Sequence, residues 1–283
     1  MDSGVIGMAG GGYRPPVSYD LSGKKVLVTG ASTGIGAALA EGFAKRGATV
    51  GICARRGDRL EEVLERCRAH TPESKAWTID LADLDRLAAF AADVVRELGG
   101  VDVLVNNAGI PKRRHVRDLT PDVVEAVMSI NYFSPIRLTL ALLPGMVERG
   151  HGHIVNISSI AGRLGPPREA AYSSTKAALT AWSESMAVDL DGTGVTVHVV
   201  NPGIIDTELF GLPDNEPSLA DLDALPVEAV ADAVVRQLEE GTFEVFVPEW
   251  FKDVVAGKAT DSGLFLEGSK AWVRQRLEQL SQS

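Results

Sequence analysis

Tyr172 and Lys176 are the two residues whose types and spacing most directly suggest chemistry. A separation of four places both side chains on one face of a helix, with their Cβ atoms about 5 to 6 Å apart. A cation at that distance favours the phenolate and lowers the pKa of the phenol, so the tyrosine can exchange a proton nearer neutral pH. The pair alone also fits an amphipathic helix with a surface lysine, so other residues must decide between the two interpretations.

A glycine-rich turn from Thr29 to Gly36 is the second feature with chemical meaning. Its glycines allow the backbone to approach a pyrophosphate at the N-terminus of the helix that follows. The residues expected to contact such a ligand are Gly30, Ser32, Thr33, Gly34, Ile35 and Gly36. The spacing differs from the usual G-x-G-x-x-G fingerprint, and a glycine-rich turn by itself is most often only a turn.

The elements that must position these residues are short apolar strands, which alternate with segments of helical length. The predicted strands are 25–29, 49–53, 76–79, 101–105, 154–157, 195–200 and 243–247, and a helix is predicted over 227–239. Such alternation implies right-handed crossovers and a parallel sheet that is covered on both faces. We therefore predict a doubly wound α/β domain with about seven parallel strands.

In an open parallel sheet, ligands bind in the crevice outside the carboxyl ends of the strands, so the residues that follow the strands form one group. Each has an ordinary explanation when taken alone, but together at one edge they indicate a dinucleotide site. The further contacts expected there are Arg55, Arg56, Asp80, Leu81, Asn107, Ala108, Gly109, Pro202, Gly203, Ile205 and Thr207, besides Tyr172 and Lys176.

These motifs give the chain a resemblance to the short-chain dehydrogenase/reductase family over about residues 22–248. The T-G-x-x-x-G-x-G motif of that family stands at 29–36, its N-N-A-G at 106–109 and its Y-x-x-x-K at 172–176. The resemblance implies a Rossmann-type fold. It also implies hydride transfer between a nicotinamide dinucleotide and a carbonyl or secondary alcohol.

The resemblance further implies a catalytic set of Asn131, Ser159, Tyr172 and Lys176. The serine of the family commonly lies 13 positions before the tyrosine, which selects Ser159 over Ser158. Tyr172 would protonate the developing alkoxide while Ser159 donates a hydrogen bond to the same oxygen. Lys176 would bind the nicotinamide ribose, and Asn131 would hold a water in the proton path.

The choice of cofactor depends on the end of the second strand, where NAD enzymes place an acidic residue against the ribose hydroxyls. Ala54 occupies that position here, and Arg55 follows it. A guanidinium suits the 2′-phosphate of NADP through charge-assisted hydrogen bonds. We predict NADP, with Arg56 as a helper and Asp80 near the adenine; NAD stays possible, because an arginine after a strand is often only solvated.

The substrate is less clearly specified. Apolar residues after the fifth and sixth strands favour a bulky hydrophobic carbonyl compound or alcohol. The expected substrate contacts are Ser159, Ile160, Leu164, Tyr172, Ile204, Leu209 and Phe210. The segment 204–225 is predicted to be a long loop over the crevice, and the basic run 112–115 is predicted to be solvated.

Length and composition limit the remaining possibilities. A chain of 283 residues that is 45% hydrophobic and 23% charged is expected to form one packed domain. We divide it into a flexible tail (1–21), the nucleotide-binding and catalytic domain (22–248) and a C-terminal extension (249–283) with a helix near 270–280. A formal net charge of -10 argues against nucleic acid as a partner and leaves a small-molecule substrate.

The two cysteines and the absence of a signal-like or uninterrupted membrane-spanning segment favour a cytoplasmic protein without a membrane span. The family resemblance implies a homodimer or homotetramer.

Two other classes of function stay open as alternatives. Residues 30–34 match the G-x-S-x-G turn of serine hydrolases, but no histidine follows His198, which lies in a predicted strand. A dinucleotide sensor without catalysis would use the same fold. The presence of Ser159, Tyr172 and Lys176 together favours an enzyme.

Overall fold

The computed structural model describes residues 19–212 and 214–282, without the side chain of Phe210. Its strands are β1 (Lys25–Thr29), β2 (Thr49–Ala54), β3 (Lys75–Thr78), β4 (Val103–Asn106), β5 (Gly152–Ile157), β6 (Val195–Pro202) and β7 (Glu244–Val247). Its helices are α1 (Gly34–Ala44), α2 (Gly57–Arg68), α3 (Leu87–Leu98), α4 (Pro121–Met128), α5 (Ser134–Arg149), α6 (Ala161–Leu164), α7 (Ala170–Asp189), α8 (Val227–Glu240), α9 (Phe251–Thr260) and α10 (Ser262–Gln282). Each strand end lies within two residues of its predicted position.

The seven strands form one parallel sheet in the order β3-β2-β1-β4-β5-β6-β7. The chain first winds outward from β1 to β3 and then returns to pair β4 with the other side of β1. This arrangement confirms the predicted doubly wound fold. It also places the reversal of strand order, where such sheets bind their ligands, between β1 and β4.

Alternation along the central strands explains why the sheet is covered on both faces. In β1, Val26 and Val28 point into one apolar core while Leu27 points into the other, and all three are fully buried. Helices α1, α2 and α8 cover the first face, and helices α3, α5 and α7 cover the second. A strand that is apolar on both faces fits this three-layer arrangement.

A continuous helical stretch, Pro121–Arg149, joins α4 to α5 through a five-residue π-helical turn at Ser129–Phe133. By length and composition alone it is apolar enough to cross a membrane, and 39% of its most apolar window is buried inside the protein. A core helix that covers a sheet has the same composition, so this one stretch is weak support for a membrane span.

The two ends of the chain differ in part from the predicted domain limits. Residues 1–18 of the predicted tail lie outside the described residues. Leu21, which the sequence places in that tail, is buried in the core, and the Tyr19 ring lies 4.1 Å from the ring of His153. At the other end, the helix predicted at 270–280 is the second half of α10.

The turn after β1 and the turn after β4 touch through their backbones at Gly30. This residue has a φ of +67°, and a Cβ atom added to it would lie 2.7 Å from Cα of Ala108. The Thr29 hydroxyl accepts hydrogen bonds from the backbone N–H groups of Asn107 and Ala108, each at 3.0 Å. Only glycine satisfies both the conformation and the contact.

We therefore expect Gly30→Ala to lower the free energy of unfolding by about 2 to 4 kcal/mol, since left-handed strain and overpacking act together. Gly42→Ala is the matched control, because Gly42 lies inside α1 and its added Cβ would contact only the end of Arg46 at 3.7 Å. That control should gain about 0.5 to 1 kcal/mol. Urea unfolding followed by circular dichroism measures both, and a Gly30→Ala protein as stable as wild type would contradict the contact.

Candidate active site

A cavity of about 560 Å³ opens at the carboxyl edge of the sheet. Every residue that the sequence predicts as a dinucleotide contact lines it. Of the predicted substrate contacts, Ser159, Ile160, Tyr172, Ile204 and Leu209 line the same cavity, whereas the side chain of Phe210 lies outside the description. The two predicted sites are therefore one continuous space.

Leu164 is the predicted substrate contact that the structure does not bring to the cavity. It ends the short helix α6, where the chain leaves the cavity wall before returning at Pro166. In its place the structure supplies apolar residues that sequence reasoning missed: Pro166, Pro167, Leu212, Leu219, Leu222, Phe251 and Trp272. Phe251 and Trp272 belong to the C-terminal extension, which therefore forms part of the wall.

The glycine turn presents uncapped backbone N–H groups to the cavity. Thr33 precedes α1 in an extended conformation and makes no side-chain cap, and the first turn of α1 contains no acidic residue. A Cβ atom at Gly36 would lie 2.5 Å from both Nδ2 of Asn107 and the carbonyl oxygen of Gly30. These features fit the pyrophosphate of a dinucleotide, which binds at such a helix N-terminus.

At the end of β2, Ala54 is buried and two exposed arginines follow it. The Arg56 guanidinium donates a hydrogen bond of 2.9 Å to the Thr33 hydroxyl and forms an ion pair of 3.0 Å with Glu208. Asp80, after β3, accepts a hydrogen bond of 2.9 Å from the N–H of Ala82. This end of the cavity thus combines the guanidinium groups of Arg55 and Arg56 with the carboxylate of Glu208, which pairs with Arg56.

Lys176 is held in the wall of the cavity by the end of β5. Its Nζ atom donates a hydrogen bond of 2.8 Å to the carbonyl oxygen of Ile157 and lies 5.8 Å from the centre of the Tyr172 ring. The side chain is almost fully buried, and burial lowers the pKa of the ammonium group to about 8. The spacing of four in α7 therefore brings the two side chains together as predicted.

The pKa of Tyr172, however, is shifted in the opposite direction to the one the sequence predicts. Burial raises this pKa above its ordinary value of 10, and the charge of Glu169 raises it further. A hydrogen bond from Ser159 and the charge of Arg113 lower it by less. The predicted lowering by Lys176 is wrong for this arrangement, because desolvation of the phenolate dominates.

Glu169 is a site residue that sequence reasoning missed. It lies just before α7, three positions before Tyr172, and lines the same cavity. Burial raises the pKa of its carboxyl to about 7, while the charge of Arg113 acts in the opposite direction. The spacing of three from Tyr172 was the available signal, since it places both residues on one face of the helical turn.

Ser158 and Ser159 have different surroundings. The Ser158 hydroxyl donates to the carbonyl oxygen of Lys176 at 3.1 Å and lies 2.9 Å from the Thr180 hydroxyl, so it fastens β5 to α7. The Ser159 hydroxyl accepts from the N–H of Ala161 at 3.1 Å, donates to the carbonyl oxygen of Pro202 at 3.5 Å and lies close enough to Tyr172 to lower the pKa of its phenol. This difference supports Ser159 as the residue beside the reacting group.

Asn131 lies in the π-helical turn and is buried. Its side chain accepts from the N–H of Ile110 at 2.8 Å, and donates to the carbonyl oxygen of Ile110 at 3.0 Å and to the Thr175 hydroxyl at 3.1 Å. It is not among the residues that line the cavity. These contacts join the loop after β4 to α7, and the role of Asn131 in the proton path stays a prediction.

The basic run after β4 is not the solvated loop that the sequence predicts. Lys112 and Arg113 are buried, and together with Asp214, Asn215 and Glu216 they form a polar cluster that we call the clasp. Lys112 pairs with Asp214, the Arg113 N–H donates to Oδ1 of Asn215 at 2.7 Å, and its Nε donates to the carbonyl oxygen of Glu216 at 2.9 Å. The clasp fixes the loop 204–225 against the loop after β4.

The hydrolase alternative loses support from the placement of the histidines. No histidine of the described residues lines the cavity that contains Ser32. His198 is buried in β6, where its Nε2 atom lies 3.1 Å from Nδ1 of His153. A serine nucleophile needs a histidine within hydrogen-bond reach, so residues 30–34 fit a nucleotide-binding turn better.

Comparison with known proteins agrees with this geometry. A sequence profile described as short chain dehydrogenase matches residues 24–216. Dehydrogenase/reductase SDR family member 7B of Mus musculus is 38% identical over 238 residues, which cover 79% of this chain and 74% of the mouse protein. The chain spans 58% to 59% of the length of further relatives from cattle, rat and fly.

Solved structures give the same result for the fold. A short-chain dehydrogenase from Streptomyces avermitilis has a TM-score of 0.76 and 34% identity, with coverage of 90% of this chain and 98% of that one. A metagenomic short-chain oxidoreductase in complex with NADP has a TM-score of 0.70 and 32% identity, with coverage of 81% and 98%. With its parallel sheet, glycine turn and Tyr172–Lys176 pair, the chain belongs to the short-chain dehydrogenase/reductase family of NAD(P)-dependent oxidoreductases.

Proposed function

We propose that this protein transfers a hydride between NADP and a bulky apolar carbonyl compound or secondary alcohol. The observation that supports this most strongly is the meeting of Ser159, Tyr172 and Lys176 in one cavity with the glycine turn. A binding-only protein would have no physical need for these three groups beside the nicotinamide end of the cavity.

The nicotinamide, when bound, supplies or accepts the hydride. Tyr172 carries its proton at neutral pH, since the ordinary pKa of a phenol is 10 and burial and Glu169 raise it further, so it can protonate the oxygen of a carbonyl substrate. Ser159 donates a hydrogen bond to the same oxygen. Lys176 donates to the carbonyl oxygen of Ile157, and its remaining N–H groups would bind the ribose of a nicotinamide cofactor in the cavity.

The preference for NADP is supported by the end of β2, where two arginines replace the acidic residue that NAD enzymes use. A relative of 32% identity has been crystallised with NADP. The apolar part of the cavity wall supports a hydrophobic substrate, since it includes Leu209 and Leu219 from the loop and Phe251 and Trp272 from the extension.

Tyr172→Phe should lower turnover by at least about 100-fold, because it removes the proton donor. Its affinity for NADPH should stay within a few fold of wild type. Turnover is followed by NADPH absorbance with a panel of apolar ketones and aldehydes, and affinity by quenching of tryptophan fluorescence, which Trp272 makes sensitive to the cavity. Tyr132→Phe, outside the cavity, is the matched control, and near-normal turnover of Tyr172→Phe would refute the assignment.

Glu169→Gln should shift the ionisation of Tyr172 to lower pH. The carboxylate raises this pKa, so a neutral amide stabilises the phenolate relative to wild type. Alkaline ultraviolet titration measures the shift, with Tyr172→Phe used to identify the signal. Glu169→Asp keeps the charge and should titrate closer to wild type; a pKa in Glu169→Gln equal to or above that of wild type would disprove the coupling.

Arg55→Ala should lower the ratio of NADPH to NADH affinity by about tenfold, the worth of one charge-assisted hydrogen bond to the 2′-phosphate. Separate titrations with the two cofactors give the ratio. Arg66→Ala removes a charge from α2 that pairs instead with Glu41, so its ratio should stay at the wild-type value. An unchanged ratio in Arg55→Ala would show that this residue does not select the cofactor.

A further inference from the structure

We propose that Glu208 competes with the 2′-phosphate of NADP for Arg56 and thereby narrows the preference for NADP over NAD. This inference rests on the proposed use of NADP. It concerns Glu208 in the loop 204–225, which we call the substrate loop; Glu208 lies 152 positions after Arg56, and the sequence did not connect it with the cofactor.

The geometry joins Glu208 to both arginines that flank the start of α2. One carboxylate oxygen, Oε2, lies 3.0 Å from Nη1 of Arg56, and the other, Oε1, lies 3.8 Å from Nη1 of Arg59. The second amino group of Arg56 donates to the Thr33 hydroxyl at 2.9 Å. The Arg56 guanidinium therefore lies between the glycine turn and the substrate loop, with its charge already paired.

This position coincides with the place where the fold receives the adenosine ribose. In doubly wound sheets the group that recognises the ribose 2′ position stands at the end of the second strand, where Arg55 and Arg56 lie. Arg56 and Glu208 both line the cavity. A phosphate that approaches Arg56 meets a carboxylate of the same sign on the same guanidinium, so it must displace Glu208 before it gains the full pairing.

The ion pair between Glu208 and Arg56 has a different effect on the binding of NAD. An uncharged 2′-hydroxyl does not repel Glu208 and leaves its ion pair with Arg56 intact. Ala54 cannot supply the carboxylate that accepts from ribose hydroxyls in NAD enzymes, and Glu208 places one at this end of the cavity from a distant part of the chain. Glu208 therefore weakens the binding of the phosphorylated ribose and spares the unphosphorylated one.

The expected size of the effect follows from exposure. The side chains of Arg56 and Glu208 are 48% and 53% exposed, so solvent and salt screen their attraction. Removal of an exposed ion pair of this kind changes an equilibrium by about two- to fivefold. The effect should be largest at low ionic strength.

Titration calorimetry with 2′,5′-ADP and 5′-AMP isolates the 2′-phosphate from the rest of the cofactor. Glu208→Gln should bind 2′,5′-ADP about two- to fivefold more tightly than wild type and 5′-AMP no more tightly, and the gain should shrink in 0.5 M salt, a concentration of about three times the physiological value. Glu240→Gln, at the exposed end of α8, makes the same change in net charge away from the cavity and should bind as wild type does.

The failures of the two proposals are distinguishable. A wild-type protein that binds 2′,5′-ADP no better than 5′-AMP would overturn the NADP preference itself. If wild type prefers 2′,5′-ADP and Glu208→Gln leaves that affinity unchanged, the role of Glu208 is overturned. In an Arg56→Ala background the gain from Glu208→Gln should disappear, because the two side chains act through one contact, and a gain that persists would contradict the route through Arg56.

Discussion

The close approach of two backbone turns at Gly30 and Ala108 is the constraint on which the rest of the site depends. The buried Thr29 hydroxyl fixes it by accepting from two backbone N–H groups of the turn after β4. From that turn the connection continues through the backbone of Ile110 to Asn131, and from Asn131 to Thr175 in α7. Thr29 at the start of the nucleotide-binding turn and Thr175 in α7, 146 positions apart in sequence, are thus joined by a chain of buried and partly buried hydrogen bonds, which are stronger where water is excluded.

The parts of the fold that sequence could predict are those that depend on periodicity and on the ends of strands. Val26, Leu27 and Val28 are apolar on both faces because β1 lies in the middle of the sheet, and the same pattern marks β4 and β5. Residues after strand ends were identified because parallel strands bring their carboxyl ends to one edge. Some strands extend one or two residues beyond the predicted range because ladder pairing continues past the apolar run, as at Pro202 in β6, whereas β4 and β7 begin one or two residues later than predicted.

The parts that could not be predicted depend on contacts between loops far apart in sequence. Lys112 looked solvated because its partner, Asp214, is 102 residues away in a segment without periodicity. Trp272 lines the cavity although it is 40% exposed, and α10 contains no buried residue, so no burial pattern marked it. The pKa of Tyr172 was assigned the wrong direction because spacing reveals the nearby cation but not the extent of desolvation, which is the larger effect.

The clasp holds a loop that forms one wall of the cavity and that is separate from the sheet. The side chains of this loop can therefore be substituted independently of the strands. Leu209, Leu219 and Leu222 line the cavity from a loop that is fastened at Asp214, Asn215 and Glu216, and the sheet contributes none of these three side chains. Substitutions in the loop on either side of these fastened residues alter the shape of the wall without changing the strands or Tyr172. A lineage that keeps the clasp can therefore alter the shape of the cavity by changing a few loop side chains, while the residues of the sheet and of the glycine turn stay constant.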